Sequence, residues 1–222
     1  MATATLTGPL FSRMVDPADY ATVQRARMLE AITRAVAAKG YASVTVSDVV
    51  AGAGVSRRTF YEHFREREDC FLAAFSAAAE VVREEIARAI RELDEPGWRE
   101  VLRVALETYL RALATEPEVA RVLKIDIFGA GPAAVDRGRE VGERFVELLR
   151  VLNQMATDDD EEIGEVPDLM LRAVVGGISQ LVEWHLLSHG AETLGELADP
   201  MTELVTAVIE GARTGGWASA LG

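Results

Sequence analysis

Residues 45–64, TVSDVVAGAGVSRRTFYEHF, constrain the fold of this chain more than any other stretch. Thr45 is a favourable N-cap for a short helix, and Asp48 follows three residues later, where its carboxylate can reach back to the cap. Gly52 and Gly54 then supply a turn, because glycine accepts positive φ angles that other residues resist. The pattern predicts two short helices joined by a tight turn, which is typical of a helix-turn-helix.

The second helix of this pair begins after Ser56, which is another favourable N-cap. It has cations and a hydroxyl at its start, with Phe60 and Phe64 behind them, and this arrangement suits entry into a DNA major groove. Arginine favours guanine O6 and N7, and a threonine methyl can meet a thymine methyl. We therefore predict that three residues contact base edges: Arg57, Arg58 and Thr59. The alternative is an ordinary solvated helix face.

The flanking sequence extends the pattern beyond the two helices. From Gly40 the chain reads GYASVTVSDVVAGAGVSRRTFYEHFREREDCFLAAF, with A-G-V-S at residues 53–56 and T-F-Y-E-H-F at residues 59–64. This region resembles the DNA-binding region of the tetracycline-repressor (TetR) family of bacterial regulators. It departs from the family pattern at Arg58, where a small residue is usual, at Arg67, where lysine is common, and at Cys70, where leucine is usual.

The resemblance implies specific contacts to the DNA backbone. Phosphate contacts fix the position of a protein on the duplex without reading its sequence. By resemblance, the residues in this role are Thr45, Ser47, Tyr61, His63 and Arg67. With about three phosphate-contacting cations in each protomer of a dimer, the logarithm of affinity is expected to fall with the logarithm of salt concentration with a slope of about −5.

The net charge of −13 at first argues against DNA binding. The charge is unevenly distributed, however. Residues 1–69 contain 9 Lys and Arg against 8 Asp and Glu, whereas the remaining residues contain 14 against 28. Exposed charges separated by more than about 8 Å are largely screened at physiological salt. The acidic excess therefore lies outside the predicted DNA-binding segment.

Helical periodicity continues through the rest of the chain, and no strand-like alternation is evident. We predict an all-α protein of about nine helices, with a three-helix headpiece and a helical ligand-binding and dimerisation body. Its predicted organisation is a loose tail over residues 1–15, a DNA-binding domain over 16–66 and the body over 67–222. Asp16-Pro17 is expected to begin the first helix, and residues 157–167, which contain five consecutive acids, are expected to form a solvated loop.

The last two predicted helices suggest a dimer. Residues 169–187 are apolar nearly all round, and such a helix must be covered on all sides. We predict that this helix and the one over 200–213 pack against the same helices of a second copy, as the resemblance also implies; the alternative is a core within one chain. The candidate interface residues are Leu181, Leu204, Val205, Val208 and Ile209.

The body is predicted to bind a small effector, which in the family commonly shifts the fourth helix and changes DNA affinity. Aromatic residues outnumber interior polar ones here, which favours an apolar or amphipathic ligand over a sugar or a nucleotide. The candidate pocket residues are Trp98, Tyr109, Phe128, Phe145, Gln180 and Trp184. At their helical spacing, each of these is also compatible with a plain structural role.

No catalytic or metal-binding constellation stands out, and no cofactor is predicted. His185 and His189 are four residues apart on one predicted helix, but no third ligand has matching spacing, which favours a structural role. A single cysteine and the lack of an evident signal peptide or membrane span favour the cytoplasm. The sequence predicts a dimeric, ligand-responsive repressor of a palindromic operator. A non-specific architectural DNA-binding protein and an enzyme on a helical scaffold remain as alternatives.

Overall fold

The computed structural model describes residues 10, 11, 16 and 18–213 of the chain. Within this part the protein has nine α-helices, joined by short loops and 3₁₀ turns, and no β-strand beyond an isolated bridge. The all-α prediction is therefore confirmed. The helices are α1 (Tyr20–Lys39), α2 (Val46–Ala53), α3 (Arg57–His63), α4 (Arg67–Arg91), α5 (Trp98–Thr115), α6 (Pro117–Lys124), α7 (Pro132–Asp159), α8 (Asp168–Ser188) and α9 (Ala198–Glu210).

The first helix begins later than predicted. Asp19, and not Asp16, is its N-cap, and the Asp19 side chain accepts hydrogen bonds from the backbone of Ala21 and Thr22. Asp16 forms its own short turn by accepting from the amide of Ala18 at 2.9 Å. Two aspartates compete to cap this segment, and the one that directly precedes the uninterrupted helical run prevails.

The acidic segment after α7 is more ordered than a solvated loop. Helix α7 continues to Asp159 and so includes the first two acids of the run. Arg213 pairs with Asp160 at 2.7 Å and with Glu162 at 2.9 Å, and Ile163 is buried among these acids. The loop prediction was wrong for residues 157–159, which belong to α7, and was right for 160–167, although an arginine distant in sequence pairs with its carboxylates and an isolated bridge joins Ile163 to Arg213.

The chain divides into two compact units, with boundaries within α4, between α5 and α6, and within α7. The first unit comprises residues 1–81 and 116–137, and the second comprises 82–115 and 138–222. In the first unit α1 packs against α2 and also against α6. The sequence placed residues 116–137 with the body, because a packing partner so distant in sequence leaves no local signal.

The core of the first unit is apolar and well enclosed. Its fully buried side chains include Met28, Ile32, Phe60 and Phe71. The predicted loose tail lies largely outside the described residues. Its two adjacent described residues, Leu10 and Phe11, are buried, so the prediction does not hold for them.

The second unit is built around α5, which packs against α9 and against a 3₁₀ turn at Leu194–Leu197. Leu102, Leu113 and Met201 are fully buried there. Arg150 ties α7 to the start of α8 by donating two hydrogen bonds, of 2.9 and 2.8 Å, to the carboxylate of Asp168. In the described part of the chain, none of the helices has the length and apolar character that crossing a membrane requires.

Candidate nucleic-acid interface

Helix α2 begins with the capping box that its sequence predicts. The Thr45 hydroxyl donates to Oδ2 of Asp48 at 2.7 Å, and the Asp48 amide donates back to the Thr45 Oγ1 at 3.3 Å. Lys39, the last residue of α1, places its Nζ 2.8 Å from the other carboxylate oxygen of Asp48. Hydrogen bonds from Lys39 and Thr45 hold the pKa of Asp48 well below its usual range. The Thr45 hydroxyl, which the resemblance assigns to a phosphate, thus already has a structural partner.

The turn between α2 and α3 requires glycine at one position and favours it at another. Gly54 has φ 62° and ψ 42°, which is the left-handed conformation that ends α2. A Cβ atom on Gly54 would lie 2.7 Å from Nη2 of Arg27. Gly52 allows α2 to approach α1 closely, because a Cβ atom there would lie 3.1 Å from the Cβ of Ala31.

Helix α3 is anchored at its start by a cap and at its centre by an aromatic side chain. The Ser56 Oγ accepts from the amide of Thr59 at 3.0 Å and also bonds the Thr59 hydroxyl at 2.9 Å. Phe60 is fully buried and contacts Phe64, with 5.7 Å between the ring centroids. These contacts fix both the start and the rotation of α3, and Thr59 is half-buried as a result.

The remaining side chains of α3 form its exposed surface. Arg57 donates from Nη2 to the Ser47 hydroxyl at 2.5 Å, which links α3 to the first turn of α2. The Arg58 side chain is 90% exposed, and its Nε lies 3.1 Å from Oε1 of Glu62. Tyr61 is 55% exposed. The structure therefore brings Ser47, Arg57 and Arg58 to one exposed surface, as the sequence predicts for a DNA-contacting helix.

Arg67 has a different environment from the one that the resemblance implies. Its guanidinium donates to the backbone carbonyls of Tyr41 and Val44 and lies over the Tyr41 ring, 4.2 Å from the centroid. Phe71 contacts the same ring, with 4.8 Å between the two centroids. Arg67 thus holds the segment between α1 and α2 in place. Both bonds come from Nη1, so this positioning role stands beside the phosphate contact that the resemblance implies, which stays a prediction. Local sequence carried no signal of the two carbonyl partners.

The predicted pocket residues do not assemble into one cavity wall. Tyr109 and Phe145 contact each other, with 6.0 Å between ring centroids, and Trp98 is buried. Trp184 is 56% exposed and Gln180 is also exposed, which is not the environment of an enclosed pocket. Phe128 is exposed and belongs to the first compact unit, whereas the other five residues belong to the second. Tyr109 and Phe145 are the predicted pair that the structure brings together.

The sequence did not indicate a cavity of about 210 Å³ in the first compact unit. Its wall is formed by α1, the start of α6 and the buried residues Leu10 and Phe11. These segments are distant from one another in sequence. The lining residues are Leu10, Phe11, Glu30, Thr33, Arg34, Glu116, Glu118 and Val119.

The predicted interface residues fall into two groups. Leu181 and Leu204 are 41% and 40% exposed, which is consistent with a surface for a second copy. Val205 and Ile209 are each 1% exposed, because α9 turns that face toward α5, so they belong to the core of their own chain. Val208 is half-buried. The sequence-based list also lacked Leu187, which is 61% exposed on α8.

The two histidines of α8 have structural surroundings. The His185 ring is buried, its Nε2 lies 2.8 Å from the Thr193 hydroxyl, and it stacks on His189 with 4.8 Å between centroids. Among the residues that the structure describes, no group of three or more His, Cys, Asp or Glu side chains is placed to hold a metal ion.

A capped α2, a left-handed glycine turn and an outward-facing cationic α3 define a helix-turn-helix headpiece attached to a helical body. Residues 28–74 match the family of bacterial regulatory proteins described as the tetR family. The match covers the headpiece, and relatives and solved structures are similar to the chain over longer stretches.

The relatives of this chain include proteins named as repressors. The HTH-type transcriptional repressor AcnR of Corynebacterium glutamicum is 32% identical over 110 residues, which are 49% of this chain and 55% of AcnR. The match thus spans only about half of that relative. The HTH-type transcriptional repressor BepR of Brucella suis is 26% identical over 172 residues, which cover 70% of this chain and 81% of BepR.

Solved structures share the fold over most of the chain. The fatty acid degradation regulator FadR from Bacillus halodurans aligns with a TM-score of 0.73 at 20% identity, covering 82% of this chain and 94% of FadR. FadR from Bacillus subtilis, solved in complex with stearoyl-CoA, aligns with a TM-score of 0.72 at 19% identity, covering 83% and 97% of the two chains.

Proposed function

We propose that this protein is a sequence-specific DNA-binding transcriptional regulator, and in particular a repressor that occupies a palindromic operator as a homodimer. The observation that carries the proposal is the exposed surface of α3, where Arg57, Arg58 and Tyr61 project from a helix whose rotation is fixed by the buried Phe60. The names of the AcnR and BepR relatives support repression. Blocking a promoter also requires nothing beyond occupancy of the operator.

Exposed apolar side chains on α8 and α9 support the homodimer. Leu181, Trp184 and Leu187 follow one another at three-residue intervals on α8, and Leu204 of α9 is also exposed. Large apolar side chains on a surface mark interaction sites when they are grouped. A two-fold dimer presents two copies of α3, and such dimers bind half-sites about 34 Å apart, one turn of DNA.

The dimer proposal is tested by solution mass. The wild-type protein is expected to sediment as a dimer at micromolar concentration, and Leu187→Glu combined with Leu204→Glu is expected to give monomers. Val151→Glu is the matched control, because Val151 is 51% exposed but lies on α7. A monomeric wild-type protein, or an unchanged mass in the double variant, contradicts this interface.

An amphipathic effector completes the proposal. FadR from Bacillus subtilis was solved with stearoyl-CoA, which joins a long apolar chain to a polar group. A ligand of this class suits a second compact unit whose interior includes the contacting pair Tyr109 and Phe145. A ligand changes DNA affinity only if it binds the free and DNA-bound conformations unequally. We propose that the effector does so by altering α4, the helix that continues from one compact unit into the other.

DNA selection tests the main proposal. Full-length protein is incubated with a pool of random duplexes, and bound sequences are enriched over several rounds. We expect a palindrome whose binding survives excess unrelated duplex, and whose affinity changes when stearoyl-CoA is added but not when coenzyme A is added. Binding that unrelated duplex fully competes away supports a non-specific architectural protein instead. An effect of coenzyme A equal to that of stearoyl-CoA overturns the amphipathic effector alone.

A further inference from the structure

Arg58 and Glu62 form the outermost face of α3. Each is two residues from Phe60, and two residues of an α-helix correspond to a rotation of about 200°. Because Phe60 is fully buried, Arg58 and Glu62 must point almost directly away from the headpiece core. Their side chains are 90% and 56% exposed. If α3 enters the major groove with this face toward the bases, the side chains of Arg58 and Glu62 both reach the base edges.

The two side chains are paired with each other. Nε of Arg58 donates to Oε1 of Glu62 at 3.1 Å, across one turn of the helix. Glu62 thus places a carboxylate at the centre of a surface that has to approach phosphates, where a negative charge is repelled. The other acid near this surface, Asp48, is bound by Lys39 and by the cap of α2. The partner that the structure shows for Glu62 is Arg58, on the same exposed face.

The two arginines at the start of α3 also differ in their partners. Arg57 is held by Ser47 of α2, so its position is set by the fold of the headpiece. Arg58 is held by a residue of its own exposed face. An arginine without an acidic partner bonds phosphate oxygens of any sequence, which raises non-specific affinity. The carboxylate of Glu62 competes with those phosphates for the guanidinium of Arg58.

We propose that Glu62 is a specificity-determining residue of the DNA-binding surface, an inference that rests on the proposed function. Glu62 keeps Arg58 off the phosphates of unrelated DNA. On the operator, Arg58 donates to guanine O6 and N7 while Glu62 accepts from a cytosine N4 amino group on an adjacent base pair. Both charges then have partners on the operator, whereas on unrelated DNA the carboxylate faces phosphates and base acceptors.

The test compares wild-type protein with Glu62→Gln, which preserves shape and removes the charge. The probes are the duplex selected by the wild-type protein and a scrambled duplex of equal composition, each titrated over a range of salt concentrations. The variant is expected to bind the scrambled duplex about tenfold more tightly. It is expected to bind the selected duplex about threefold or more less tightly, because a neutral amide is a weaker acceptor for the cytosine amino group than a carboxylate is. Its salt slope on the scrambled duplex should steepen by about 0.9 for each protomer, because Arg58 gains a phosphate.

Two controls distinguish this role from a general charge effect. Glu66→Gln removes the same charge from an exposed residue that follows α3, and it is expected to leave both the ratio of affinities and the salt slope unchanged. In an Arg58→Ala background, Glu62→Gln is expected to have no effect on the salt slope. Glu62→Asp keeps the charge but shortens its reach, and it provides a second variant with reduced selectivity if Glu62→Gln fails to fold.

The outcomes separate the inference from the function on which it rests. A wild-type protein that enriches no sequence overturns both. A wild-type protein that enriches a palindrome, together with a Glu62→Gln variant of unchanged selectivity and salt slope, overturns the role of Glu62 alone. The role of Glu62 alone is also overturned if Glu62→Gln steepens the salt slope equally in the wild-type and Arg58→Ala backgrounds.

Discussion

Arg57, the first residue of α3, donates a hydrogen bond from its Nη2 to the Ser47 hydroxyl in the first turn of α2, with 2.5 Å between the two atoms. The bond joins the two helices of the helix-turn-helix through side chains on their exposed surface. It also limits the positions that the Arg57 guanidinium can take. An exposed arginine loses rotamer freedom when it binds DNA, and a partner that orders it beforehand reduces that loss.

Ser47→Ala is therefore expected to weaken DNA binding without destabilising the fold. The affinity for the selected duplex should fall about three- to tenfold, while the free energy of unfolding changes by less than about 0.5 kcal/mol, as is usual for surface substitutions. Gel-shift titration and urea unfolding measure the two quantities. In an Arg57→Ala background the same substitution should have little further effect; full additivity of the two losses contradicts the coupling.

Gly54→Ala is expected to destabilise the headpiece. A non-glycine residue in the left-handed conformation costs about 1 kcal/mol, and the added Cβ would lie 2.7 Å from Nη2 of Arg27, which must move. We expect a loss of about 1–2 kcal/mol in unfolding free energy. Gly97→Ala is the matched control, because its Cβ would meet no atom within 4 Å. Equal effects of the two substitutions contradict the role of the turn.

Arg67→Lys should lower stability more than its conservative nature suggests. Lysine lacks the planar guanidinium that lies over the Tyr41 ring while its Nη1 donates to the carbonyls of both Tyr41 and Val44. The expected loss in unfolding free energy is about 1–2 kcal/mol. The salt slope of DNA binding, measured where both proteins are folded, should stay the same. A changed slope supports the phosphate contact that the family resemblance implies.

Asp48→Asn should change how the stability of the protein depends on pH. The pKa of Asp48 is depressed in the folded protein by Lys39 and Thr45, so the stability it contributes is present above the ordinary aspartate pKa of 3.8. That contribution falls as pH drops below 3.8 and the carboxylate is protonated. Thermal unfolding between neutral and acidic pH is expected to show a smaller loss in Asp48→Asn than in the wild type. Parallel pH profiles would exclude this linkage.

Several features of the headpiece followed from residues close together in the chain. Thr45 and Asp48 form a capping box three residues apart, Ser56 caps the next helix, and Gly54 ends α2 in the conformation that glycine favours. Each of these contacts lies within one helical turn. Their spacing alone therefore predicted where α2 begins and ends and where α3 begins.

The partners of long side chains did not follow in the same way. Arg67 reaches carbonyls more than twenty residues earlier, and Arg213 neutralises acids about fifty residues earlier. Both contacts depend on how helices pack, which no local pattern encodes. For the same reason the sequence predicted neither these contacts nor the helical conformation of residues 157–159.

The sequence by itself determined the helical class, the turn between α2 and α3 and the cations at the start of α3, because capping, glycine geometry and helical periodicity act over a few residues. Tertiary packing decided which side of α8 and α9 is exposed. It buried Val205 and Ile209 against the neighbouring helix and left Leu187 on the surface. By burying Phe60, it also turned Arg58 and Glu62 outward, since the rotation of a short helix is set by the core against which it packs.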